Sequence, residues 1–297
     1  MGSKRFMTPK IGGAVYILPN LLTTGNLFFG FFSVVKSLHG NFWEAGIAIL
    51  LASVFDILDG RVARLTNGTS EFGVQYDSLC DLLSFGLAPA FLMYQFGLNS
   101  MGRVGWILCF VFLACGALRL ARFNVQSAIG KAHGDFTGLP IPMAATVVAT
   151  FVAFSVDLQS NPDEDLWIIQ KIAEFLDKDQ IRNFILIGMA PTLGLLMVSN
   201  VAYRSHKSMH FSIVKPFRLL AILVMVVGLL AAKPEMFGFL FCLLYALSGP
   251  FEWIIGWKKL ENDDDIFTPI DDNDSVMETR SDLVGKSLEA RNNKDKP

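Results

Sequence analysis

The stretch that decides the fold is ILLASVFDILDG, residues 49–60. Ile49 to Phe55 is apolar enough to lie in a bilayer, yet Asp56 and Asp59 follow in the same helical run. A carboxylate at the centre of a membrane helix costs roughly 2.5–3.5 kcal/mol on insertion scales, so intramembrane acids are rare and tied to function. Spaced three apart, the two share one helix face at adjacent turns. Gly60 and Ala63 lie on that side too, leaving room for a bulky group near the backbone, and Arg64 closes the series.

The surrounding chain supports a membrane setting. Of its 297 residues 52% are hydrophobic and only 18% charged, and the mean hydropathy is +0.45. These values describe a polytopic membrane protein rather than a soluble enzyme. Apolar runs near 17–36, 42–64, 75–97, 103–124, 139–157, 182–203, 217–233 and 236–257 predict an all-α helical bundle of about eight transmembrane helices. Lys and Arg favour one side: Lys4, Arg5, Lys10, Arg61, Arg64, Arg119, Arg122, Lys131, Arg204, Lys207, Lys215, Arg218, Lys258 and Lys259 fall together if both termini are cytoplasmic. Residues 1–16 then form a cytoplasmic N-terminal segment and 17–258 the transmembrane domain. The polar stretch 259–297 lacks the apolar surface to fold alone and reads as a disordered cytoplasmic tail. LWIIQKIAEFL, inside the external connection 158–181, has the spacing of a helix lying at the membrane interface. Cys80, Cys109, Cys115 and Cys242 sit in apolar runs with no CxxC, as reduced buried residues do. The N-terminal basic residues precede an apolar run without a small-residue cleavage site, which reads as an uncleaved first helix.

After Asp59 comes a break, TNGTSEFG, in which Asn67-Gly68 favours a tight reversal. The next helix sets Gly73, Asp77 and Asp81 at successive i+4 positions, and Ser84 and Ala88 extend the stripe. So short a loop predicts antiparallel neighbouring helices, with four carboxylates converging near the cytoplasmic surface. Such charges repel strongly at low dielectric. Arg64 cannot neutralise all four, so a divalent cation is the natural candidate, and all-oxygen ligation favours Mg²⁺ or Mn²⁺. An ion pathway or a structural Asp–Arg network is the alternative from spacing alone.

The full pattern D-x₂-D-G-x₂-A-R-x₈-G-x₃-D-x₃-D is met by Asp56, Asp59, Gly60, Ala63, Arg64, Gly73, Asp77 and Asp81. It resembles the signature of the CDP-alcohol phosphatidyltransferases. LPNLLTTGNLFFGF (18–31), ALRLARFNV (117–125), FTGLPIPMAA (136–145) and LMVSNVAYRS (196–205) look like segments of the bacterial integral-membrane phosphatidylserine synthases. The resemblance implies a six-helix catalytic core in the cytoplasmic (inner) membrane, a homodimer, and dependence on Mg²⁺ or Mn²⁺. It implies a reaction too, in which CDP-diacylglycerol and L-serine give phosphatidylserine and CMP.

The same resemblance distributes roles. Asp56, Asp59 and Asp77 would hold a first metal and Asp81 would help form a second site. Gly60, Ala63 and Gly73 would line the nucleotide pocket, and Arg64 would contact the nucleotide-phosphate portion. Asp81 is the candidate base for the serine hydroxyl. A serine carboxylate needs a cation, for which Arg119 and Arg122 are candidates through charge-assisted pairing, with Asn124 adding a hydrogen bond; the alternative is that these arginines face lipid phosphates. No nucleic-acid partner is expected. Glycerol phosphate, inositol or its phosphate, and choline remain alternative acceptors, and a cation transporter is the rival class. Against the transporter stand the placement of the acids near one membrane face and the absence of a repeated half. An intramembrane prenyltransferase lacks the Gly and Ala-Arg spacing, and the HxKxxxxD pattern of phospholipase-D-like synthases is absent.

Overall fold

The computed structural model describes residues 14–66, 70–128, 136–160, 171, 179–203, 224–225, 227–228 and 233–254, all within the unit Met1–Lys258. In chain order the helices are α1 (Ala14–Leu38), α2 (Phe42–Leu65) and α3 (Glu71–Asp81). A π-helical segment, Leu82–Leu87, leads without a break into α4 (Ala88–Phe96). After a 3₁₀ turn come α5 (Arg103–Ala128), α6 (Ile141–Ser160), α7 (Asp179–Val198) and α8 (Pro234–Ile254).

Six stretches of these helices are long and apolar enough to cross a bilayer: Ile17–Leu38, Glu71–Phe96, Arg103–Ser127, Ile141–Ser160, Gln180–Val198 and Pro234–Phe251. At 24 residues α2 matches them in length but carries Asp56, Asp59, Arg61 and Arg64. The protein is an integral-membrane helical bundle. Seven of the spans expected from hydropathy therefore stand as helices. The run 217–233, the interfacial stretch LWIIQKIAEFL, the Asn67-Gly68 turn and the tail 259–297 lie wholly or largely outside the described residues.

Helix ends differ from the hydropathy runs for local reasons. α3 starts at Glu71 because Ser70 caps it, its Oγ accepting from the Gly73 N–H at 3.0 Å. α7 stops at Val198 instead of running to residue 203. Its chain leaves the helix to pair Ala202–Tyr203 antiparallel with Phe136–Thr137, and the Gly138 N–H donates to Val201 O at 2.8 Å. Gly138 adopts φ +78 there, and a Cβ would strike the Met197 carbonyl, so only glycine fits. Two prolines follow at the entry to α6, where the first-turn N–H groups need no helical partner.

α6 is the centre of the bundle. Ala144, Val147, Val148, Ala149, Phe151 and Val152 are all buried, as befits a helix apolar on every face, and α2, α4, α7 and α8 all pack against it. Gly46 lets α2 close on it: a Cβ there would sit 2.8 Å from Ala149 O. The outer faces carry Phe28, Phe31, Val104, Ile107, Phe110, Phe241 and Phe251, exposed as lipid-facing residues are. All four cysteines are free, and Cys80, Cys109 and Cys242 are buried.

α1 is built the other way round. Its buried positions are Pro19, Thr23, Asn26, Gly30, Ser33 and Ser37, while Leu21, Phe28 and Phe31 face out. Small and polar residues on the inner stripe let neighbouring helices approach closely, as membrane helices commonly do. α1 thus packs along α2 and also against α3, the π segment and α4. α2 meets the third apolar run, as expected, but at the π segment and α4 rather than at α3, while α1 packs against both α2 and α3. The gap between α2 and α3 is where the carboxylates point.

Candidate active site

Asp56 and Asp59 come from α2 and Asp77 and Asp81 from the last two turns of α3. One carboxylate oxygen from each of Asp56, Asp59 and Asp77 lies within 4.8 Å of the others. Asp81 stands beside this triad, within electrostatic reach of Asp56 and Asp77, and its Oδ1 accepts from Asn26 Nδ2 at 3.0 Å. The sequence-predicted quartet is thus brought together, three acids tightly and the fourth against them.

These acids suit a cation. Asp59 Oδ2 and Asp77 Oδ1 are buried with no hydrogen-bond partner, and an unsatisfied buried acceptor costs about 1–3 kcal/mol, more when charged. No lysine or arginine makes a salt bridge to any of the four among the described residues. The donor set is all oxygen, the chemistry of a hard divalent ion.

Next to the triad opens a pocket lined by Pro19, Asn20, Thr23, Asp59, Gly60, Ala63, Ser70, Gly73, Val74 and Asp77. Gly60 and Gly73 are on its wall for different reasons. A Cβ at Gly60 would meet only Arg64 Nη2 at 4.0 Å, so the space before it is empty. A Cβ at Gly73 would press on Ser70 Oγ at 3.1 Å, within the cap that starts α3. Ala63 completes the wall one turn beyond Asp59 and Gly60.

The cations divide. Arg64 is exposed and folds back on its own helix, its Nε donating to Gly60 O at 2.8 Å. Arg119, on α5, is largely buried within electrostatic reach of Asp81 and Tyr245, and its Nε has no partner. Arg122 follows one turn later. Asn124 is already engaged, its Nδ2 donating to Ser78 Oγ at 3.0 Å and so tying α5 to α3.

Sequence reasoning did not single out the α1 contributions. Asn20 and Thr23 line the pocket, Asn26 holds Asp81, and Thr24 shares a hydrogen bond with Tyr76 at 3.0 Å. The signal was present as small and polar residues recurring at helical spacing in an otherwise apolar span, Asn20, Thr23, Asn26, Gly30, Ser33 and Ser37.

Residues 16–176, which hold every residue described around the pocket and the carboxylates, match the family model of the CDP-alcohol phosphatidyltransferases. The chain belongs to that family. It is 32% identical over 246 residues to the CDP-diacylglycerol–serine O-phosphatidyltransferase of Helicobacter pylori strain J99, covering 83% of this chain and 94% of that protein. The enzyme of the same name from Methanocaldococcus jannaschii is 33% identical over 210 residues, 70% of this chain and 83% of its own length. An archaetidylserine synthase of Methanothermobacter thermautotrophicus is 43% identical over 136 residues, 45% of this chain and 57% of its own. As a CDP-alcohol phosphatidyltransferase the chain is a metal-dependent enzyme, and the transporter and prenyltransferase readings fall away.

Proposed function

We propose that this phosphatidyltransferase moves the phosphatidyl group of CDP-diacylglycerol to L-serine, giving phosphatidylserine and CMP. The observation that carries the reading is the Asp56–Asp59–Asp77 triad beside a glycine-walled pocket, in a chain that aligns over most of its length with enzymes named for serine.

In this reading Asp56, Asp59 and Asp77 hold Mg²⁺ or Mn²⁺, with Asp81 completing a second position. A divalent cation bound there supplies neutralisation of the diphosphate and of the negative charge that grows on the departing CMP oxygen. The chain's own residues do the rest. Gly60, Ala63 and Gly73 leave room for the nucleotide, and Arg64, freed from Gly60 O, swings onto its phosphate. Arg119, with an unpartnered Nε, pairs with the serine carboxylate, and Arg122 adds charge at the same helix end. Asn124 serves first as the α5–α3 tie and only through it as a neighbour of serine. Asp81 takes the hydroxyl proton as the serine oxygen bonds to the phosphorus bearing the diacylglycerol. The P–O bond to CMP breaks, and CMP departs with its electron pair.

The lysine and arginine bias of the loops supports a catalytic face and both termini on the cytoplasmic side of the inner membrane. Residues 17–258 form the catalytic domain, flanked by the cytoplasmic segments 1–16 and 259–297, and the family resemblance supports a homodimer.

CMP release by the purified protein, with CDP-diacylglycerol, Mn²⁺ or Mg²⁺ and a panel of alcohols, tests the reading. Serine-dependent release that disappears in Asp77→Asn is expected. Release with a different alcohol and none with serine would overturn the acceptor, and no release with any alcohol would overturn the chemistry.

A further inference from the structure

Asn26 is a neutral amide at the inner edge of a membrane helix, with 0% of its surface exposed. Burial of so polar a side chain requires a partner. It has one at its nitrogen end, where Nδ2 donates to Asp81 Oδ1 at 3.0 Å. A carboxylate only accepts, so the end facing Asp81 must be the NH₂. The other end, Oδ1, is buried without a partner. A leucine would fill the same space without that cost. The amide is retained at a loss on one end, which points to the Asp81 contact as its use.

The amide is itself fixed. The backbone carbonyl of Asn26 accepts from Ser84 Oγ at 3.0 Å. Ser84 lies in the π-helical segment that begins directly after Asp81. Gly30, one turn along α1, removes the side chain that would otherwise collide with Ser84. The wider turn of the π segment sets Ser84 against α1 while leaving Asp81 on the last α-helical turn. π insertions inside α-helices cluster at functional sites. α1 therefore grips the chain on both sides of the point where Asp81 leaves the helix.

Resting on the proposed transfer reaction, we propose that Asn26 is a positioning residue for Asp81. Its amide, locked by the Ser84 hydroxyl, holds one oxygen of the Asp81 carboxylate and leaves the other to take the serine proton. Asn26 lies outside the Asp56–Asp59–Asp77 triad, so its effect is on turnover rather than on capture of the first cation.

The test is a double-mutant cycle on the full-length protein in detergent–lipid micelles, reading CMP release against CDP-diacylglycerol and serine. Asn26→Leu removes the donor while keeping a branched side chain of four heavy atoms, and Asn26→Asp sets an acceptor against Asp81. Both should lower kcat roughly 100-fold, the scale of a misplaced reacting group, with KM for CDP-diacylglycerol within about twofold. Asp81→Asn alone should be at least as damaging. Adding Asn26→Leu to Asp81→Asn should cost little more, because residues that act as one unit are non-additive. Multiplying losses would instead mean a packing role and overturn the proposal. Mn²⁺ binding, followed by loss of the free-ion EPR signal, should be unchanged in Asn26→Leu and abolished in Asp77→Asn. Weakened Mn²⁺ binding in Asn26→Leu would overturn the assignment to turnover. If neither Asn26 variant folds, Ser84→Ala, which removes only the lock, should lower kcat in the same non-additive way, and a wild-type kcat there would overturn the proposal. If the wild type uses another alcohol and not serine, the acceptor reading fails, and the cycle run with that alcohol still decides the coupling. With no acceptor at all, the positioning role falls together with the reaction.

Discussion

Gly60 and Gly46 lie on the same helix, and replacing each by alanine should have opposite consequences. A Cβ at Gly46 would sit 2.8 Å from the carbonyl of Ala149 on α6, where only backbone movement can relieve it. Forcing a methyl into such a contact costs about 1–3 kcal/mol, so Gly46→Ala should lower the melting temperature of the purified protein. A Cβ at Gly60 meets no atom closer than Arg64 Nη2 at 4.0 Å. It enters the pocket wall instead, next to Asp59. Stability should therefore hold or rise, since alanine is favoured over glycine in a helix interior by about 0.5–1 kcal/mol. The ligand meets the methyl that the protein does not. The same overpacking of about 1–3 kcal/mol, now against the nucleotide, converts to about a 5- to 150-fold rise in KM for CDP-diacylglycerol. Thermal unfolding in the absence of substrate, paired with CMP release across a CDP-diacylglycerol titration, separates the two effects. A Gly60→Ala protein with wild-type KM would refute the assignment of this wall to the substrate. One that melts like Gly46→Ala would refute the open space on which the argument stands.

Asp77→Asn removes one of three clustered negative charges, so without divalent ions the variant should melt no lower than the wild type. The wild type should gain about 2.7 kcal/mol of apparent stability at Mn²⁺ concentrations a hundred times the dissociation constant, and the variant almost none. A full Mn²⁺ shift in Asp77→Asn would place the ion elsewhere. Tyr203 holds the segment after α7 to α8, its hydroxyl donating to Ala246 O at 2.9 Å. Burial pushes the pKa of that phenol upward, so it stays a donor. Tyr203→Phe should cost about 0.5–1.5 kcal/mol of stability and leave KM for both substrates unchanged. An altered KM would mean that this end of the bundle shapes the site.

The sequence alone determined the membrane class, the helical spans and the acids. Length and hydropathy are local properties, and a buried carboxylate is costly enough to stand out wherever it falls. The spacing from Asp56 to Asp81 likewise fixes which residues share a helix face, because that face follows from the period of the helix. What the tertiary structure decided is how those faces meet. A short loop argued that α2 packs against the third apolar run, and it does so through the π segment and α4. Only the structure shows that α1 packs against both α2 and α3 where the pocket opens. That choice depends on the small and polar inner edge of α1, from Thr23 to Ser37, whose partners lie far away in the chain. Asn26, the amide that grips Asp81, reads in sequence as one polar residue in an apolar run. Its meaning comes from a contact across 55 residues of chain, and the π segment that brings Ser84 into place leaves no mark in local periodicity. Asn124 was legible as a polar residue near the site, but whether it faced a substrate or tied two helices together depended on Ser78 standing opposite. Local chemistry named the reacting groups; only packing between distant segments could say what holds them.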